Sequence, residues 1–143
     1  MNEQKMFMIV DIDRCWGCKA CQVACKREHG LAPEDFKPIE VFRIENEQEG
    51  QIRCDFMPVV CQHCTTPTCV GACPCGALVK TEEGTVIVEE DRCVGCGLCF
   101  KKCPYGAIGL KTGSGKRKAV KCDLCAERRN RGFLPACEQH CLG

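Results

Sequence analysis

"CVGCGLCFKKCPYGAI", residues 93–108, puts four cysteines into eleven residues and follows the last with proline. Cys93, Cys96 and Cys99 form a loop tight enough to wrap one cuboidal centre on three corners. Gly95 and Gly97 between them let the backbone come close. The chain then enters a helix. Cys103, four residues past Cys99, is carried about 6 Å along the helix axis and points past the first centre toward a neighbour. Pro104 ends the helix and reverses the course of the backbone. Four crowded thiols of this kind do not share one metal.

The pattern recurs. The groups are Cys15, Cys18, Cys21, Cys25; Cys61, Cys64, Cys69, Cys73; Cys93, Cys96, Cys99, Cys103; and Cys122, Cys125, Cys137, Cys141. Every group opens with C-x2-C and closes with C-x3-C, and "ACPCGAL" (72–78) realigns on "KCPYGAI" (102–108), so the chain carries an internal repeat. Eighteen cysteines in 143 residues, beside only six Phe, one Tyr and one Trp, mark a scaffold held by disulfides or metal rather than by a large apolar core. The start, "MNEQKMFMIVDIDRC", lacks the basic and apolar regions of a signal peptide, and no apolar run approaches a membrane span. The expected compartment is the cytoplasm, where dense cysteine means metal. Zinc sites use pairs of C-x2-C knuckles; three cysteines in seven residues, twice, suit iron–sulfur clusters better.

Between the groups, "IEVFRIENEQEGQIRCDFMPVV" (39–60) and "ALVKTEEGTVIVEE" (77–90) read as hairpins, and "MFMIVDI" (6–12) as a strand entering the first group. Short helices are expected near 19–28, 67–73, 97–103 and 123–131, with Thr66 and Pro67 as N-cap and first-turn residues of one. "KTGSGKRK" (111–118) reads as a basic surface loop.

The stretches "CWGCKACQVACK", "CQHCTTPTCVGACPCGAL", "CVGCGLCFKKCPYGAI" and "KCDLCAERRNRGFLPACEQHC" resemble the four-cluster ferredoxin subunits of anaerobic oxidoreductases, over residues 5 to 141. Those subunits serve dimethyl sulfoxide reductase, formate dehydrogenase, nitrate reductase, carbon monoxide dehydrogenase or tungsten aldehyde oxidoreductase catalytic subunits. In bacterial two-cluster ferredoxins the fourth cysteine of each run ligates the other cluster. The resemblance implies four 4Fe-4S clusters: Cys15, Cys18, Cys21 with Cys141; Cys122, Cys125, Cys137 with Cys25; Cys93, Cys96, Cys99 with Cys73; and Cys61, Cys64, Cys69 with Cys103. It implies a relay in that order, the first cluster facing the catalytic partner. The chain stops two residues after Cys141, where many family members continue, which suggests a minimal, soluble version.

Several residues invite a sharper reading than they support. Ile52, Cys54 and Phe56 alternate onto one strand face, so Cys54 is expected to be a buried small hydrophobe, and Cys75 realigns with Tyr105; neither is expected to be a ligand. His63 and His140 sit inside ligand motifs but are unneeded beside sixteen thiols, and Trp16 reads as a cover that keeps water off a cluster. Residues 101–131 hold ten Lys and Arg against two acids. A nucleic-acid patch is disfavoured, because sixteen thiolates and four oxidised cores turn the formal +1 into about −7, and clustered cations offset that charge. No catalytic constellation appears.

The expected fold is α+β, a tandem bacterial two-cluster ferredoxin with short hairpins and short helices around four clusters. It forms one unit over 1–143, with an inner module at about 55–110 and an outer one from about 5–30 with 115–143. The expected function is electron transfer to or from a separate catalytic subunit, foremost a molybdenum- or tungsten-pterin oxidoreductase, with a further donor or acceptor at the other end. The alternatives are a subunit of a carbon monoxide dehydrogenase or hydrogenase, a free polyferredoxin, and a structural iron–sulfur protein. Copies with clusters near their surfaces are able to stack into longer wires.

Overall fold

The computed structural model describes residues 5–113 and 115–143. Residues 1–4, and Ser114 inside the 111–118 loop, lie outside them. In chain order the elements are α1 (Ala20–Glu28), β1 (Ile39–Gln48), β2 (Gln51–Val60), α2 (Thr68–Gly71), β3 (Leu78–Lys80), β4 (Val86–Val88), α3 (Leu98–Lys102), β5 (Ile108–Lys111), β6 (Lys118–Lys121), α4 (Ala126–Asn130) and α5 (Ala136–Gln139). Among the described residues the strands pair as consecutive antiparallel hairpins, β1 with β2, β3 with β4 and β5 with β6. This is a small α+β protein of short hairpins and short helices, compatible with a ferredoxin-like fold.

Helix α1 stops where Gly30 takes φ +58°, Leu31 N donating to Lys26 O at 2.9 Å to close the last turn. Lys26 and Arg27 lie in that turn, where cations complement the carbonyl end. Helix α2 begins at Thr68, one residue later than the Thr66–Pro67 pair suggests. Pro67 stands before it with no side-chain cap, and Thr68 Oγ1 instead donates to Lys102 O at 3.1 Å, tying α2 to α3.

The β1–β2 hairpin sets Ile39 opposite Val60 and Gln48 opposite Gln51. Glu49 and Gly50 both take positive φ, +53° and +75°, the two-residue turn that follows strand twist. Only the inner end is covered: Ile39, Val41 and Val60 are buried, while the outer pairs face water. Cys54 is therefore exposed rather than buried, with Arg43 Nε 3.0 Å from its sulfur. Alternation is present in this strand, but no element covers either face at that height.

One other expectation is corrected. Residues 6–12 form no strand: Met6 N makes a single backbone bond, donating to Glu83 O, and Phe7 and Ile9 are exposed rather than packed on a sheet. Among the described residues the 111–118 stretch is an exposed loop, as expected; what the sequence did not suggest is that it joins the β5–β6 hairpin, whose strands "IGLK" and "KAVK" carry little β signal of their own.

Two small cores form around cysteines. Ala77, Leu78, Val86, Ile108 and Ala119 pack with Cys93 and Cys99; Ile39, Val60 and Leu124 pack with Cys25 and Cys122. The loop from 31 to 38 lies against β5. Phe36 covers Gly109, where a Cβ would come 2.2 Å from the ring, and the buried Asp35 carboxylate accepts Thr112 N and Ala32 N, each at 2.9 Å.

Candidate metal centres

The four C-x2-C loops share a backbone device. The residue before the second cysteine takes positive φ in each: Gly17 (+69°), His63 (+45°), Gly95 (+69°) and Leu124 (+55°). Glycine does this without strain, and histidine and leucine do not. The conformation turns amides toward sulfur. His63 N lies 3.4 Å from Cys61 Sγ, and Leu124 N lies 3.3 Å from Cys122 Sγ. Further amides reach sulfur from neighbouring elements, Ala77 N to Cys73 Sγ at 3.2 Å and Ala119 N to Cys93 Sγ at 3.3 Å. Only the glycines were legible as loop residues; His63 and Leu124 gave no such signal.

Helices α1 and α5 pack together and bring the two ends of the molecule into contact. Cys21 lies within the field of Cys18, Cys15 and Cys141; burial, then those thiols, push its own thiol up. One turn along α1, Cys25 is buried beside Cys122, Cys125 and Cys137, and burial first, then those neighbours, raise it well above the ordinary thiol range. Burial likewise pushes Cys122 up to about 12 and Cys137 up to about 11. In the α2–α3 half, Cys61, Cys64, Cys69 and Cys103 line one cavity, and Cys73, Cys93, Cys96 and Cys99 line another. Cys75 lines the second as well, its sulfur 3.6 Å from Cys73 Sγ.

The sets adjoin in a definite order. Cys21 and Cys137 both pack on the core of Cys25 and Cys122, joining the Cys15 set to the Cys25 set. Cys61 packs on the core of Cys25, Cys122 and Leu124, so the Cys61 set comes next. The Cys93 set lies beyond it, sharing α2 and α3 and their core. The expected relay order puts the Cys93 set third and the Cys61 set last; the structure reverses them. Strand β2 delivers Val60 and Cys61 directly against Leu124, and that docking decides which end of the inner pair faces the outer one.

The donor chemistry fits iron–sulfur clusters. All eighteen cysteines are free, so the crowding is not disulfide bonding. Buried thiols that raise one another accept ionisation only beside a cation, and thiolates select Fe–S centres, zinc or Cu(I). His63 Nδ1 accepts Val86 N at 2.9 Å, which puts its proton on Nε2, a buried atom with no partner. Burial holds the His63 ring neutral, down to about 4, and Lys121 adds to the effect. That leaves a neutral, buried N–H donor in the loop between Cys61 and Cys64.

Other residues stand close. His29 Nε2 lies 3.5 Å from Asp123 Oδ1 and 3.7 Å from Cys125 Sγ. Lys121 is buried between the two halves, lining the Cys61 cavity next to Cys122. His140 is exposed, its Nδ1 2.9 Å from Ala136 O. Trp16 is 71% exposed. Among the described residues no helix is long and apolar enough to cross a membrane.

Residues 52–143 match the 4Fe-4S dicluster domain family, and residues 12–28 a 4Fe-4S binding domain. Over 95% of its length the chain is 35% identical to a tetrathionate reductase subunit of Salmonella typhimurium, spanning 54% of that protein. It is 38% identical, over 99% of its length, to a component of the anaerobic dimethyl sulfoxide reductase of Escherichia coli, spanning 71%. It is 39% identical, over 94%, to the thiosulfate reductase electron transfer subunit PhsB of Salmonella typhi, spanning 70%. The chain thus covers about half the length of the first relative and about 70% of the others. One match takes in the second, third and fourth cysteine groups and the other the first, so this protein belongs to the 4Fe-4S dicluster domain family of iron–sulfur proteins.

Proposed function

We propose that the chain is the electron-transfer subunit of an oxidoreductase complex, holding four 4Fe-4S clusters on the sets Cys15/18/21/141, Cys25/122/125/137, Cys61/64/69/103 and Cys73/93/96/99. The outer pair and the inner pair form two ferredoxin-like modules of one unit. Bound there, the clusters supply reversible one-electron storage at potentials set by their surroundings. The protein's part is to hold the thiolates, aim amides at sulfur, exclude water from the Cys25 set and keep neighbouring sets in line. Substrate chemistry belongs to a separate catalytic subunit, foremost a molybdenum- or tungsten-pterin enzyme such as the reductases of the relatives' names, with a further electron donor or acceptor at the far end. The observation that carries this reading is four thiol sets in one unbroken series, with exposed members at both ends: Cys18 and Cys141 at one, Cys96 at the other.

The test is anaerobic purification of the tagged chain from its native cell. The expected material carries about sixteen irons per chain and a stoichiometric large subunit containing molybdenum or tungsten. A nickel-containing partner would move the assignment to a carbon monoxide dehydrogenase or hydrogenase. Monomeric elution with full iron would make it a free polyferredoxin. Zinc in place of iron would end it.

A further inference from the structure

We propose that the Lys121 ammonium is a fixed counter-charge at the junction of the Cys25/122/125/137 and Cys61/64/69/103 sets, raising the reduction potential of the groups bound at both; the inference rests on the ligand sets proposed above.

Lys121 ends strand β6 and is only 5% exposed. Its Nζ donates to Val86 O on β4 and to Cys122 O, which occupies two of its three protons. Its side chain lines the cavity of Cys61, Cys64, Cys69 and Cys103, while its backbone leads directly into Cys122. It therefore belongs to both halves of the molecule at the point where the series of thiol sets crosses between them.

A buried ammonium is costly unless something negative repays its lost hydration. Among the described residues, none of the ion pairs includes Lys121. Carbonyl dipoles alone offer partial compensation. The remaining negative charge within reach is that of the Asp123 carboxylate, which also faces His29 and the Cys125 amide, and that of the thiolates on either side, eight of them in two sets. Other lysines also clamp carbonyls beside these loops: Lys80 Nζ holds Cys64 O and Thr65 O at 3.0 and 2.7 Å, and Lys118 Nζ holds Glu90 O and Cys93 O at 2.7 and 2.6 Å. Those two keep partial contact with water, which screens their charge. Lys121 does not, so its field reaches the flanking sites at a low effective dielectric. An added electron at either site gains from that field, and the gain fades toward the Cys15 and Cys93 sets at the ends. A cation at this position makes the middle of the series the easier place for an electron to rest.

The experiment uses the full chain, loaded and handled anaerobically, as wild type and as Lys121→Met, Lys121→Gln, Lys121→Arg and Lys118→Met. Iron per chain is measured first, then the reduction steps by potentiometric titration followed by electron paramagnetic resonance. With either neutral residue at 121, iron is expected to stay at the wild-type level while two of the steps move negative. The expected size is about tenfold or more in the reduction equilibrium, about 59 mV for a one-electron couple. Lys121→Arg is expected to restore the wild-type values, and Lys118→Met to move its steps by less. Full iron with unmoved steps in both neutral variants would overturn the inference. So would loss of iron from the flanking sites in both, which would mark Lys121 as a structural clamp. A wild-type chain without iron–sulfur clusters would instead sink the ligand assignment itself.

Discussion

Gly95 holds φ at +69°, and a Cβ there would meet Arg117 O at 2.3 Å, so both its conformation and its space depend on the missing side chain. Gly95→Ala is expected to cost about 1–3 kcal/mol in backbone strain alone and to empty the Cys93 site, seen as loss of about a quarter of the iron per chain. Gly84, at φ +82° with open space around it, is the control: Gly84→Ala keeps the full iron content. The thiols divide in the same way. Cys99, buried among its set, is expected to behave as a ligand, so Cys99→Ser loses iron, while Cys54→Ser and Cys75→Ser retain it; iron and sulfide analysis of the three variants decides. Glycine at the third loop position was legible because only it takes that backbone freely. Leu124 and His63 do the same against their preference, held by burial and by the Val86 amide, and such tertiary constraint leaves no mark on the local sequence.

The loop from 31 to 38 is the joint between elements that local sequence leaves unlinked. Asp35 ties it to the start of the β5–β6 connection, and the two amides it accepts, Thr112 first and then Ala32, hold its carboxyl below the ordinary aspartate range. A carboxyl lowered on folding contributes stability that is present above the unfolded value, about 3.9, and is lost as pH falls through the lowered one. Hydrogen exchange at the Ala32 and Thr112 amides is therefore expected to stay slow down through the usual carboxylate range and to quicken only below it. In Asp35→Ala both amides exchange fast already at neutral pH. The helices near 19–28, 67–73, 97–103 and 123–131 and the hairpins over 39–60 and 77–90 were legible, since spacing and turn residues act within a few positions. The β5–β6 hairpin, the unpaired 6–12 segment and the exposure of Cys54 were not. Each depends on which distant element arrives to cover it.

Across the whole molecule, apolar burial is slight and cysteine fills much of both cores. Folding and metal loading are therefore coupled. Anaerobic chelation of the iron is expected to abolish the cooperative unfolding transition altogether, which circular dichroism during a thermal scan would register. A cooperative transition persisting without metal would show that the apolar residues suffice. The pairing of first group with last and second with third followed from the family resemblance; the order in which the pairs adjoin did not. It is set by the contact of Val60 and Cys61 with Leu124, more than sixty positions away in the chain, and by the Lys121 side chain, which in sequence looks like one more member of a basic surface segment.

The uneven burial of the sulfurs also bears on how the protein ages in air. Thiolates open to solvent meet dioxygen and peroxide before covered ones. Cys18, Cys141 and Cys96 are open, whereas Cys25, Cys93, Cys99, Cys122 and Cys125 are covered. Damage is then expected to begin at those three sulfurs. A sample left on the bench would lose its contacts with the outside early, and go silent toward any partner while it still holds colour.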